Sequence, residues 1–124
     1  MSSRTPHGSE PSRVLVIGLN PAWQQVLDAP GFSPGEVVRA EAYSCFASGK
    51  GFNAAKVLAR LGHAVSLLQV VAGDAGGRVL EACAAHGIRS LHARAPGETR
   101  TCITVLGSAS GETGQAVGGA RRAT

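Results

Sequence analysis

The sequence predicts an α/β fold: the opening of a doubly wound or mixed sheet, carrying a small antiparallel β flap and stopping before the sheet is finished. Three observations predict it. Short continuous apolar runs, Arg13–Leu19 and Val65–Val71, have the character of strands buried on both faces. Between them, Ala54, Ala55, Val57, Leu58 and Leu61 recur at helical spacing, and Gly62 follows where a helix C-cap belongs. The composition, with 17 glycines and only 4% aromatic residues, suits an α/β protein with tight turns better than a helical bundle.

In chain order, residues 1–12 are polar and lack the apolar centre of a secretory signal, so they read as a disordered lead-in. Residues 13–111 form one partial domain. The run Arg13–Leu19 is its first strand, and Asn20-Pro21 ends it. Polar groups just past the carboxyl end of such a strand are where open α/β sheets bind ligands, which makes Asn20 a site candidate; a turn-forming Asn before Pro is the competing reading. Residues 22–43 form the flap, with short strands at Gln25–Leu27 and Glu36–Ala42 around the turn-rich Pro30–Gly35. After the helix ending at Gly62 come a strand over Val65–Val71 and a helix over Arg78–His86, stopped by Gly87 and capped near Gly76 by Asp74. Strands at Ile88–Ala93 and Thr101–Leu106 follow, the second rich in β-branched residues. About four core strands result, and two helices fall short of covering both faces of such a sheet. Residues 112–124 show neither period and read as a disordered tail.

At 124 residues there is room for one modest domain. The formal charge of +4 is spread along the chain, without the basic cluster and interleaved aromatics of a nucleic-acid binder, so no nucleic-acid partner is expected. No apolar run approaches membrane-spanning length, and no membrane partner is expected. Cys45, Cys83 and Cys102 are odd in number and lack metal-ligand spacing; each reads as a free thiol beside an apolar run in a reducing, cytoplasmic setting.

The stretch around which the chain is organised is Ser48-Gly49-Lys50-Gly51-Phe52-Asn53. A glycine-rich turn running into a helix presents free N–H groups and the positive end of the dipole, and glycine admits close approach by an anionic or polyhydroxy ligand. Lys50 adds a charge, and Asn53 a donor and an acceptor. A tight turn with a solvated lysine is the competing reading. A phosphate-binding P-loop is excluded because Ser44 and Gly51 stand where Gly and Ser/Thr are needed. A dinucleotide fingerprint is excluded because Ala54 replaces its third glycine.

Taken together, Leu19-Asn20-Pro21-Ala22, Ser48–Ala55, Gly62, Asp74-x-x-Gly77 and Glu98-Thr99-Arg100 resemble the N-terminal part of the PfkB (ribokinase-like) carbohydrate kinases. The branch they most resemble is the sugar-phosphate kinases for fructose 1-phosphate or tagatose 6-phosphate. The resemblance runs from about Arg13 to about Gly111, less than half of a family member. It implies a ribokinase-like sheet with a β lid and transfer of the ATP γ-phosphoryl group to a sugar hydroxyl with Mg²⁺. Carried over by position, it makes Gly49, Lys50, Gly51 and Asn53 a sugar-binding turn and sets Asn20 beside the substrate. Arg100 resembles the arginine on the sugar's existing phosphate, chemistry that suits a guanidinium fork; a surface arginine at a strand entrance is the competing reading. Gln24 stands where an Asp usually holds sugar hydroxyls. Trp23 beside it reads as an apolar lid anchor rather than a stacking platform for a sugar. A lid face of Val26, Leu27, Val37 and Val38 implies a homodimer.

The family's second signature, a Gly-Ala-Gly-Asp run that supplies the catalytic base, is absent. No catalytic or metal-ligating residue is assigned, and no ATP or Mg²⁺ site is legible. The expectation is the substrate-side part of a truncated kinase, binding a sugar or sugar phosphate and inactive without a missing C-terminal half. A non-catalytic sugar-phosphate-binding fragment and a degenerate remnant are the alternatives.

Overall fold

The structure, a computed structural model, describes residues 10–107 and the backbone of 113–118. The elements in order are β1 (Arg13–Ile17), β2 (Ala22–Asp28), β3 (Ala42–Ser48), α1 (Lys50–Arg60), β4 (Ala64–Val71), α2 (Gly73–Ala85), β5 (Arg89–Arg94), β6 (Arg100–Leu106) and β7 (Thr113–Gly118). They form two sheets. A parallel three-stranded sheet has the order β1-β4-β5, and a four-stranded sheet has the order β3-β2-β6-β7.

The three-stranded sheet is the base of the domain. Alternation along β4 turns Val65, Leu67, Gln69 and Val71 inward, where each is buried. Phe52 and Ala55 of α1 and Val79 and Cys83 of α2 complete a cluster with Val65, Leu67, Val71, Ala47 and Ile88. Burying a side chain such as Leu67 or Val79 contributes roughly 1.5–3 kcal/mol. Both helices therefore lie on one face of the sheet. Each ends in a Schellman arrangement, with His63 N–H on Leu58 C=O at 3.2 Å and Ile88 N–H on Cys83 C=O at 2.9 Å, around Gly62 and Gly87. Burial pushes the Cys83 thiol up from its ordinary value, against a smaller opposing effect of its hydrogen bond with Gln69, which suits an inert buried thiol.

Four expectations are corrected. The second flap strand is Ala42–Ser48, not Glu36–Ala42, because antiparallel register from Ala22↔Ser48 to Asp28↔Ala42 buries Ala47 against the core, while Glu41 N–H closes the loop on Asp28 C=O at 2.7 Å. Residues 101–106 join the flap sheet, not the base. After β5 the chain is held at Ala72, where Thr99 N–H meets Ala72 C=O and Thr99 Oγ1 accepts Ala72 N–H, both at 2.9 Å. β6 then starts beside Ala22 and runs parallel to β2. The expected tail contains β7, antiparallel to β6 from Thr101↔Gly118 to Leu106↔Thr113, because extended backbone needs only β6's free edge to pair. The rest of that tail, and residues 1–9 of the lead-in, lie outside the described residues.

The fourth correction concerns α2, which starts at Gly73 and has no side-chain cap of its own. Asp74 sits in its first turn, and the Glu98 carboxylate accepts the N–H groups of Asp74 and Ala75, each at 3.3 Å. A negative group there also meets the helix dipole favourably. Glu98→Ala is expected to lower stability by about 1 kcal/mol, as a loss of cap does. Urea unfolding checks this, and an unchanged midpoint would remove Glu98 from that role.

Candidate functional site

The carboxyl end of β1 meets the amino end of α1 at a glycine-to-glycine contact. A Cβ on Gly18 would stand 2.6 Å from Gly51 Cα, and one on Gly51 would stand 2.5 Å from Gly18 Cα. Gly18 N–H bonds Leu68 C=O at 2.9 Å, so the strand end is fixed before it turns at Asn20-Pro21. The other side of the turn is Gly49, whose φ of 111° belongs to glycine; its missing Cβ would lie 3.2 Å from Pro21 Cα. These constraints place the first turn of α1 against Gly18–Pro21.

A cleft of about 350 Å³ results, lined by Asn20, Pro21, Lys50, Gly51 and Arg100 together with the Ile17–Leu19 segment and Phe52. Phe52 is buried beneath it, edge-on to His86 at 5.8 Å, which anchors the turn. Arg100 enters from the first residue of β6, half-buried, and donates from Nη2 to Asn20 C=O at 3.3 Å. Its Nε is buried without a partner among the described residues.

The electrostatics of this cleft are one-sided. Its lining holds Lys50 and Arg100 and no carboxylate. The first turn of α1 has no acidic residue and no side-chain cap, and its first closing bond is Asn53 N–H to Gly49 C=O at 2.9 Å. The N–H groups of Lys50, Gly51 and Phe52 precede that bond and have no helical acceptor. A lysine at the positive end of a helix works against stability unless an anion sits there. Helix N–H groups, an ammonium and a guanidinium thus meet around one opening, a set of donors whose chemistry suits an anion.

Of the seven candidate residues, Asn20, Lys50, Gly51 and Arg100 share the cleft and Gly49 shapes its rim. Gln24 and Asn53 do not line it. Gln24 is half-buried within the flap and donates from Nε2 to Thr104 Oγ1 at 2.8 Å and to Gln25 C=O at 3.1 Å. Asn53 is exposed on α1. Gly18 was not singled out from sequence, although a glycine closing an apolar strand ahead of a second glycine-rich turn is a signal for close approach. Trp23 packs on the core cluster beneath the flap, with the Arg78 guanidinium 5.6 Å from its ring centroid, in keeping with an anchor.

The metal implied by the resemblance does not fit the residues present. The aspartates are Asp28, at the far end of β2, and Asp74, on the first turn of α2; neither lines the cleft. Among the described residues no three His, Cys, Asp or Glu side chains converge on one point. No step through a metal or nucleotide is derived.

The sequence profile of the pfkB family carbohydrate kinases matches residues 12–120. A curated relative, 1-phosphofructokinase of Rhodobacter capsulatus, is 33% identical over 94 residues, covering 76% of this chain and 30% of that protein. Among solved structures, phosphofructokinase-2 from Escherichia coli in complex with fructose-6-phosphate superposes with a TM-score of 0.76 at 25% identity, over 85% of this chain and 35% of that one. The tetrameric inhibited form of the same Escherichia coli enzyme gives a TM-score of 0.75 at 25% identity, again over 85% of this chain, and 34% of the other. The chain thus spans about a third of the length of the proteins it matches. Among the described residues no helix is long and apolar enough to cross a membrane.

Proposed function

From the premise that this chain belongs to the pfkB family of carbohydrate kinases, we propose that it is the sugar-phosphate-binding part of an ATP-dependent kinase and does not transfer phosphate by itself. The observation that carries the reading is the cleft in which Asn20, Lys50, Gly51 and Arg100 meet at the uncapped N-terminus of α1. Lys50, the helix N–H groups and Arg100 would take the phosphate and its neighbouring oxygens, and Asn20 a sugar hydroxyl. Phosphoryl transfer also needs a base, a metal and a nucleotide seat, and no carboxylate lines the cleft.

In this reading Gln24 and Asn53 support the flap and the helix and do not contact substrate. The exposed apolar residues Phe46 and Leu106, on one face of the flap sheet, suit pairing with a second copy. The expected dimer face of Val26, Leu27, Val37 and Val38 is not one surface, since Val26 and Leu27 are consecutive on β2 and point to opposite faces, and Val37 lies in the loop. Free Cys83 and Cys102, both buried, fit the reducing cytoplasm.

The test is thermal unfolding of the purified chain with fructose 6-phosphate, fructose 1-phosphate or fructose. Either phosphate at about 100 times its Kd is expected to add roughly 2.7 kcal/mol of stability, whereas fructose adds far less. With ATP and Mg²⁺ present no sugar-dependent ADP is expected. ADP release would end the claim of inactivity, and equal response to fructose and its phosphates would end the claim of phosphate recognition.

A further inference from the structure

Of the residues lining the cleft, Arg100 alone stands on the flap sheet. Among the described residues its side chain makes one hydrogen bond, Nη2 to Asn20 C=O at 3.3 Å, and its Nε has no partner. One long bond does little to hold a side chain with so many rotatable bonds. The guanidinium is therefore placed by the backbone that carries it.

That backbone is set by residues 95–99, which join β5 of the base sheet to β6 of the flap. The segment is pinned at both ends on consecutive residues. Ala95 N–H donates to Val71 C=O and Thr99 N–H to Ala72 C=O, each at 2.9 Å. Thr99 Oγ1 also accepts Ala72 N–H at 2.9 Å, so Thr99 engages both backbone groups of Ala72. The same Ala72 C=O accepts Gly76 N–H at 3.0 Å, which ties the pair to the first turn of α2. Gly76 leaves the room for it: a Cβ there would stand 3.0 Å from both Thr99 Oγ1 and Val71 Cβ. Thr99 is 7% exposed, and Arg100 follows it directly, held on its other side by the β2–β6 register that begins at Ala22↔Arg100.

We propose that Thr99 is a positioning residue for Arg100: its paired bonds to Ala72 fix the backbone from which the guanidinium reaches the cleft. This role rests on the reading of Arg100 as a phosphate ligand. Thr99 does not itself line the cleft. It acts at a distance because a small displacement of the anchoring backbone is enough to lose an oriented contact. What the position needs is an acceptor at Oγ1, which a hydroxyl supplies and a methyl group does not.

The test measures Kd for fructose 6-phosphate by calorimetry on the whole chain, well below its melt. Thr99→Val keeps the shape and deletes the acceptor, and it should weaken binding about tenfold, as Arg100→Ala does. Thr99→Ser should stay within about twofold of the wild type. In the Arg100→Ala background Thr99→Val should weaken binding no further, since both substitutions remove one contact. A purely structural role would lower the melt and leave Kd alone. Gly76→Ala crowds Thr99 without deleting it and should weaken binding about threefold, whereas Gly77→Ala, whose Cβ meets nothing within 4 Å, should not. This glycine pair decides the matter where Thr99→Val does not fold. The Arg100 Nε–H resonance reports the placement without any ligand. Thr99→Val and Gly76→Ala should shift it and bring its order parameter below about 0.6, and Thr99→Ser should retain it. Variants that leave both Kd and this resonance as in the wild type would overturn the proposal, as would a loss of affinity that persists undiminished in the Arg100→Ala background. A wild type that fails to bind fructose 6-phosphate, with the resonance still displaced by the variants, would overturn the phosphate reading of the cleft and uphold the placement of Arg100 by Thr99.

Discussion

Gly51→Ala is expected to destabilise the domain by roughly 1–3 kcal/mol, the range for forcing one extra carbon into a packed contact. The new methyl group would sit 2.5 Å from Gly18 Cα, backbone against backbone, where no side chain can swing aside. Relief requires α1 to move off β1. That shift carries Lys50 and the free N–H groups away from Asn20 and Arg100, so affinity for sugar phosphates should fall along with stability. Gly18→Ala meets the same obstacle from the other side, at 2.6 Å, and should cost a similar amount. The contrast is Gly77→Ala in α2. There a Cβ meets nothing within 4 Å, and alanine is expected to stabilise by about 0.4–1 kcal/mol. Urea melts of the three variants check the pattern, and equal midpoints for Gly51→Ala and Gly77→Ala would refute the close-approach account.

Arg100→Ala is expected to abolish most of the stabilisation that fructose 6-phosphate provides while leaving the unliganded melt nearly unchanged. Hydrogen bonds to a charged group contribute about 1.5–3 kcal/mol, which corresponds to at least a tenfold loss of affinity. The unliganded protein loses little, because Arg100 donates to a carbonyl at 3.3 Å on the exposed Asn20. Arg100→Lys should recover part of the affinity, since the charge returns but the planar fork does not. Raising salt should weaken binding to the wild type more than to Arg100→Ala. A variant without arginine that keeps wild-type affinity would move the phosphate elsewhere in the cleft.

Much of this was legible in the residues. Apolar runs located β1 and β4, helical spacing located α1, and the glycine-lysine-glycine turn together with Asn20 and Arg100 led to one cleft. What escaped follows from what periodicity reports. It records how many faces of a strand are apolar, not which strand lies beside it, so Thr101–Leu106 gave no sign of pairing with β2. The alternation of Val37, Arg39 and Glu41 looked like a strand, yet Val37 is fully exposed in a loop, because tertiary register with Ala47 outweighed local pattern. Glu98 caps a helix 24 residues earlier in sequence, which no local motif can announce. Gln24 was a reasonable hydroxyl ligand by position, but Thr104 on the neighbouring strand claims its amide.

The pairing of β2 with β6 has a consequence for the order in which this molecule is made. Ala22 and Arg100 face one another in register although nearly the whole described chain lies between them. The β2–β3 hairpin and the β4-α2-β5 crossover are local enough to form early, but the parallel join must wait until both exist, since distant contacts are reached only after nearer loops have closed. The cleft straddles that join, with Asn20 and Arg100 80 residues apart. A ribosome must therefore release about a hundred residues before the cleft has both its walls. Until then, Lys50 and the open end of α1 wait for the last wall, and a nascent chain stalled short of β6 carries the glycine-lysine-glycine turn without the arginine that faces it.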